Sequence, residues 1–295
     1  MEQYAALYNP FAGNGQGETE AKRLTELYPD ASIRFIRMTE IQSYADVFSS
    51  LAEGEKIILC GGDGTLNRFI NDTADLTLPS GILYYGVGSG NDFLHDLGKK
   101  KGAVPFCIDE YIKDLPIVTV KGKQYRFLNG IGYGIDGYCC EEGDRLRAVS
   151  DKPINYTSIA IKGLLFRYRP TDAEITVDGV TKTYKKAWLA PAMNGQFYGG
   201  GMMPTPGQNR LNPDRTLSVL VMHGAGKLRT LAMFPSIFKG EHTKYTRAVE
   251  IRSGHTIEVK FDRPVALQID GETILNVTEY TAAAAKTAAK ETAAV

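Results

Sequence analysis

Apolar and polar positions alternate between two periods over the first hundred residues. YAALYNP, SIRFIRM, KIILC and ILYYGVG are apolar or alternating runs of strand length. ETEAKRLTELYP, IQSYADVFSSLAEG and LNRFINDTA carry helical spacing, the second closed by Gly54. Strands that alternate with helices predict βαβ units around a parallel sheet. From about residue 116 the texture changes. PIVTVKGKQYRFLNGIG, AEITVDGVTKTYKKAWLAPA, TLSVLVMH, HTIEVKF and VALQIDGETI are β-rich runs between turn residues, and Asp178-Gly179 marks a hairpin. INYTSIAIKGLLFRY and KLRTLAMFPSIFKG are the best helical patterns in this half.

The pattern predicts an α/β N-terminal domain with a parallel sheet (1–115) and a β-rich, antiparallel sandwich-like C-terminal domain (116–280). An Ala-rich tail (281–295), TAAAAKTAAKETAAV, favours helix by propensity alone.

Composition narrows the field. Lys plus Arg and Asp plus Glu both number 34, so the formal net charge is zero. That balance argues against a nucleic-acid partner. No stretch reaches the roughly 18 to 20 apolar residues of a membrane span, and the N-terminus lacks the features of a secretory signal. A cytoplasmic protein is expected. Cys60, Cys107, Cys139 and Cys140 form no CxxC pair and read as reduced thiols, and the four histidines show no metal-ligand spacing.

The sharpest chemical motif is KIILCGGDGTLNRFI: a buried strand, a glycine loop and a helix start. Gly61, Gly62 and Gly64 let the backbone approach a ligand, and the amides that open the helix form an anion site. Asp63 would repel a bare phosphate, which points to a Mg2+-nucleotide. Two more loops leave predicted strand ends: Asn9-Pro10-Phe11-Ala12-Gly13 and Gly86-Val87-Gly88-Ser89-Gly90-Asn91-Asp92. In a parallel sheet, ligands collect at those ends.

NPFAG, GGDGTLN and GSGNDF, in this order and spacing, resemble the catalytic domain of the bacterial diacylglycerol kinases. That lipid kinase family belongs to a superfamily shared with sphingosine and NAD kinases. The likeness continues through NGIGYGID, NGQFYGGGMMPTPGQNRLNPDRTLSV, GEHTKY and VALQIDGE, from about Tyr4 to Ile274. The resemblance implies ATP held by Asn9, Pro10, Gly13, Thr39, Gly61, Gly62, Asp63, Gly64, Thr65, Leu66, Asn67, Gly88, Ser89 and Asn91. It implies catalytic roles for Glu272, as the base that deprotonates a lipid hydroxyl, for Asp63, and for Lys162, facing phosphate or lipid headgroup. It further implies a structural cation held by Asp214 with the carbonyls of Leu211 and Thr216. The partner would be a lipid at the inner membrane surface, met by peripheral contact. The residues leave oligomeric state open, a homodimer included.

Taken alone, some of these residues allow other readings. Glu272 follows a hairpin turn and could be solvated; Asp214 could be a turn residue and Lys162 a surface charge. Gly132, Gly134 and Gly137 spell GxGxxG, but YCCEEGDRLR behind them makes a poor helix for a dinucleotide fold. Ile161, Leu164, Leu165 and Tyr168 recur at helical spacing beside Lys162, Arg167 and Arg169, as an interfacial stripe or as a core face. Three positions depart from the family pattern: Asn14 where a basic residue is usual, Val118 where an Asp opens a strand, and Ser218 where a second acid follows Asp214. A soluble NAD kinase-like enzyme, or a relative that binds nucleotide or lipid without catalysis, is the alternative.

Overall fold

The computed structural model describes residues 1–149 and 154–285. The first layer is a five-stranded sheet of β1 (Gln3–Tyr8), β2 (Ser32–Arg37), β3 (Lys56–Gly61), β4 (Leu83–Gly86) and β5 (Phe106–Cys107), in the order β2-β1-β3-β4-β5. All pairings are parallel except β4 with β5. The apolar run of β3 follows from burial on both faces: Ile57 and Leu59 enter one core layer, Ile58 and Cys60 the other. Parallel pairing puts the ends of β1, β3 and β4 side by side, so the three motif loops leave one sheet edge.

The second unit is a ten-stranded antiparallel sheet. Its strands are β6 (Ile117–Val120), β7 (Lys123–Arg126), β8 (Gly130–Tyr133), β9 (Thr171–Val177), β10 (Val180–Ala187), β11 (Ala192–Met193), β12 (Leu217–Met222), β13 (Val249–Gly254), β14 (Thr256–Ile269) and β15 (Glu272–Ala283). Trp188 is fully buried in its core, where Tyr133 stacks on Phe261 with ring centroids 4.0 Å apart. The expected hairpin at Asp178-Gly179 joins β9 to β10, both residues with positive φ (48° and 80°). An α/β domain beside an antiparallel β-rich one is the architecture expected from the pattern.

Three sequence expectations are corrected. A helix of 13 residues, Ile135–Arg147, follows the GxGxxG run after all. Its glycines serve packing: a side chain on Gly137 would strike the Ala266 carbonyl, and one on Gly143 would come 2.8 Å from the Tyr156 ring. The tail is not helical where it begins. Residues 281–283 pair as strand with Thr119, Val118 and Ile117, because ladder hydrogen bonds outweigh the propensity of Ala. Residues 286–295 lie outside the described part. The stripe in Tyr156–Lys162 and the π turn Gly163–Arg167 divides: Leu164 and Tyr168 join the core, whereas Ile161 and Phe166 are exposed. Val118 is a core residue on β6.

Candidate active site

The helix Asp63–Asp72 begins directly after β3 with Gly62 at its N-cap and no side-chain cap. Its first free amides therefore lack protein acceptors and carry the positive end of the helix dipole. Gly62 and Gly88 touch across the loops: a Cβ on Gly62 would come 2.9 Å from the Gly88 Cα. A Cβ on Gly13 would meet the Val87 carbonyl at 2.8 Å. The loops thus pack backbone against backbone, and side chains at these positions would push them apart.

Asn9 donates to Thr65 Oγ1 at 3.2 Å and accepts the Phe11 N–H at 3.0 Å, which fixes the first loop to the second. Asn91, in a left-handed conformation, donates to the Gly88 carbonyl at 2.8 Å and holds the third. Ser89 and Gly64 are exposed on the loops, and Thr39 is exposed on the turn after β2. Two predicted ligands serve elsewhere. Leu66 is buried in the core and its N–H bonds to the Gly62 carbonyl; the Asn67 amide is spent on Asp270 at 2.8 Å. Lys162 is exposed and shares no hydrogen bond or ion pair with the glycine loops.

Asp63 does cap a helix, but not its own. Its carboxylate accepts the N–H groups of Asp92 (2.8 Å) and Phe93 (3.0 Å), which open the short helix Asp92–Asp96. Asn129 of the second domain donates to the same carboxylate at 3.3 Å. Asp92, buried behind it, accepts from Gly200 (2.9 Å) and Gly201 (2.7 Å). Burial, with the neighbouring Asp63 charge, pushes Asp92 up to about 7 against the partial relief of those two amides. Neither acid belongs to an ion pair among the described residues, so this pair fits a divalent cation better than it fits a bare anion.

The DGE hairpin closes the cleft from the other side. Asp270 and Gly271 both have positive φ (47° and 98°), a tight turn between β14 and β15. Asp270 accepts from the Leu128 (2.6 Å), Asn129 (2.8 Å) and Gly130 (3.0 Å) amides as well as from Asn67. Burial raises its pKa while these four donors oppose the rise. With the turn anchored, Glu272 projects over the glycine loop: its Oε1 stands 4.0 Å from where a Gly64 Cβ would be.

Lys101 brings its ammonium to 3.8 Å from the Cβ position of Gly13, next to Asn14. A buried ion pair, Arg210 to Asp96 at 2.5 Å, joins the two domains, and Arg210 also donates to Asn129 Oδ1 at 3.0 Å. Asp92, Asp270, Asn129, Arg210 and Lys101 escaped the sequence reading. Asp92 and Asp270 stand inside motifs already singled out and were reachable; the other three act through contacts remote in sequence.

Residues 129–285 match the model of the YegS C-terminal NAD kinase beta sandwich-like domain, just over half the chain, and residues 3–118 that of the diacylglycerol kinase catalytic domain. The chain belongs to the bacterial diacylglycerol kinase and lipid kinase family. It is 24% identical over 250 residues to a diacylglycerol kinase of Mycobacterium tuberculosis, covering 81% of this chain and 79% of that one. It is 23% identical over 283 residues to a diacylglycerol kinase of Bacillus subtilis, covering 92% and 90%. A crystal structure of a diacylglycerol kinase from Bacillus anthracis str. Sterne superposes with a TM-score of 0.60 at 20% identity, over 96% of this chain and 94% of that one. A likeness at that identity speaks for the shared fold.

Proposed function

We propose that this member of the family transfers the γ-phosphoryl group of ATP to the hydroxyl of a lipid alcohol such as diacylglycerol. The observation that carries the reading is the position of Glu272, an exposed carboxylate held opposite the uncapped amides of the glycine loop. An acceptor hydroxyl between the two would lose its proton to Glu272 as its oxygen bonds to the γ-phosphorus. The bridging P–O bond breaks on the far side and ADP leaves with the electron pair. General-base help of this kind is worth about 10²- to 10⁴-fold.

The amides of Gly64 and Thr65 orient phosphate oxygens, Asn9 and Asn91 hold the flanking loops, and Lys101 adds a positive charge where Asn14 offers none. Asp63 and Asp92 are the residues that would hold Mg2+, whose charge would offset that of the triphosphate. Among the described residues no helix is long and apolar enough to cross a membrane. An exposed patch supports contact with the bilayer surface instead. Phe166 and Leu228 are 75% and 77% exposed, and Lys227 ties their segments together by donating to the Leu165 carbonyl at 2.9 Å. Lys162, Arg167 and Arg229 are exposed in the same two segments, the pairing of apolar and basic groups that favours an anionic interface.

The test is transfer of label from γ-labelled ATP to a panel of lipid alcohols and to NAD, with Glu272→Gln alongside. Label in lipid that falls at least about a hundredfold in the variant supports the reading. Transfer to NAD alone, or a Gln variant as active as the parent, refutes it.

A further inference from the structure

The family resemblance implies a structural cation on the loop that leads into β12, held by Asp214 and the carbonyls of Leu211 and Thr216. The donor set of this chain does not fit that ion. The Thr216 carbonyl already accepts two amide N–H bonds, from Gln208 Nε2 at 2.8 Å and Asn212 Nδ2 at 3.0 Å. A carbonyl oxygen has two lone pairs, so neither is left for a metal. The Asp214 side chain is exposed, and its own carbonyl pairs with the His255 ring at 2.9 Å.

What occupies the middle of the loop is the Asn212 side chain. Its Nδ2 also donates to the Asn209 carbonyl at 2.7 Å, while its Oδ1 accepts from the Thr216 N–H at 2.9 Å and the Thr216 hydroxyl at 3.3 Å. The backbone N–H of Thr216 can only donate, which fixes the amide orientation: oxygen toward that N–H, nitrogen toward the carbonyls. One amide therefore supplies the positive pole that a cation would offer to carbonyls. Beneath it Gln208 repeats the arrangement, donating to the Asn194 carbonyl at 3.4 Å and accepting from Ser218 Oγ at 2.6 Å. Ser218 stands where the family pattern has an acid, and it shares its hydroxyl with Ser253 at 2.8 Å. The loop has thus lost a charge that would attract a cation and gained neutral donors that stand in for one.

The loop matters because Arg210 lies within it, between Gln208 and Asn212. From there Arg210 reaches Asp96, the Leu128 carbonyl at 3.2 Å and Asn129, and Asn129 in turn donates to Asp63. We infer that the Asn212 amide closes this loop in place of a cation, so that Arg210 is held in the interdomain cleft without bound metal.

The test uses the full chain without nucleotide. After gel filtration, metal analysis should find no stoichiometric divalent cation, and the melting temperature should be the same as purified and after exposure to EDTA. Asn212→Asp removes both donors and leaves two carbonyls with free lone pairs beside a new charge. That variant should melt lower than the parent in EDTA and recover with Ca2+ or Mg2+. Made in an Asp92→Asn background, the comparison excludes a response from the acids of the cleft. One equivalent of tightly held cation in the parent, or a parent that melts lower in EDTA, overturns the inference. So does an Asn212→Asp variant that melts as the parent does in EDTA and with added cation. If that variant does not fold, metal content and melting of the parent decide alone.

Discussion

Asn67 and Asp270 meet across the domain boundary, with the amide nitrogen of one 2.8 Å from a carboxylate oxygen of the other. Asn67 rides on the helix that the glycine loop opens, and Asp270 forms the turn that carries Glu272. This contact, with the three amides that share the carboxylate, ties the glycine loop's helix to the turn that carries Glu272.

Asn67→Ala should cost about 1.5–3 kcal/mol of stability, the range for a hydrogen bond to a charged group. It should also lower turnover, because Glu272 loses its register over Gly64. Urea unfolding and the lipid phosphorylation assay check both. A variant with parental stability and rate would remove Asn67 from this role.

Lys101→Ala should raise the KM for ATP by about tenfold, equivalent to about 1.4 kcal/mol, with melting unchanged because the side chain is exposed. Lys101→Arg should retain most of the affinity. Equal nucleotide affinity in all three proteins, measured by calorimetry, would show that its charge is not felt at the site.

The buried acids give the nucleotide-free protein a defined pH dependence. Asp92 is raised from 3.8 to about 7 and Asp136, buried in the second domain, to about 6. A carboxyl raised on folding contributes stability that is whole below its unfolded value and is lost as pH rises through the folded one. Melting temperature should therefore fall from about pH 4 to about pH 7 and level off above that, and Asp92→Asn should flatten the decline. Scanning fluorimetry that gives both proteins the same slope would contradict this.

The exposed apolar patch and the buried stripe next to it predict opposite phenotypes. Phe166→Ser with Leu228→Ser should weaken binding to anionic vesicles and leave melting nearly intact. Leu164→Ala should cost about 2–5 kcal/mol through a core cavity. Vesicle binding that the surface pair does not alter would retire the docking face.

Much of this arrangement was legible in the chain. KIILC followed by GGDGT reads as strand, loop and helix because each apolar residue of β3 is buried and Gly61 and Gly62 each have a close neighbour. The helix Ile135–Arg147 was not legible, since Gly137 and Gly143 weaken its helical pattern and are explained only by Ala266 and Tyr156, remote or on another segment. Asn129 and Arg210 carry no local motif; their roles exist only when the domains meet. Leu164 and Ile161 looked alike by spacing, and only packing against the second core told them apart.

The hairpin that bears Glu272 also fixes a sequence of events. Asp270 draws on amides at Leu128, Asn129 and Gly130, at least 140 residues earlier in the chain. Closing so long a loop is slow relative to local pairing. Domains tend to fold in the order in which they are made, so the glycine loops are expected to be in place before the Glu272 carboxylate that faces them. On the reading proposed above neither part acts alone, and the site is assembled only when β15 pairs with β14.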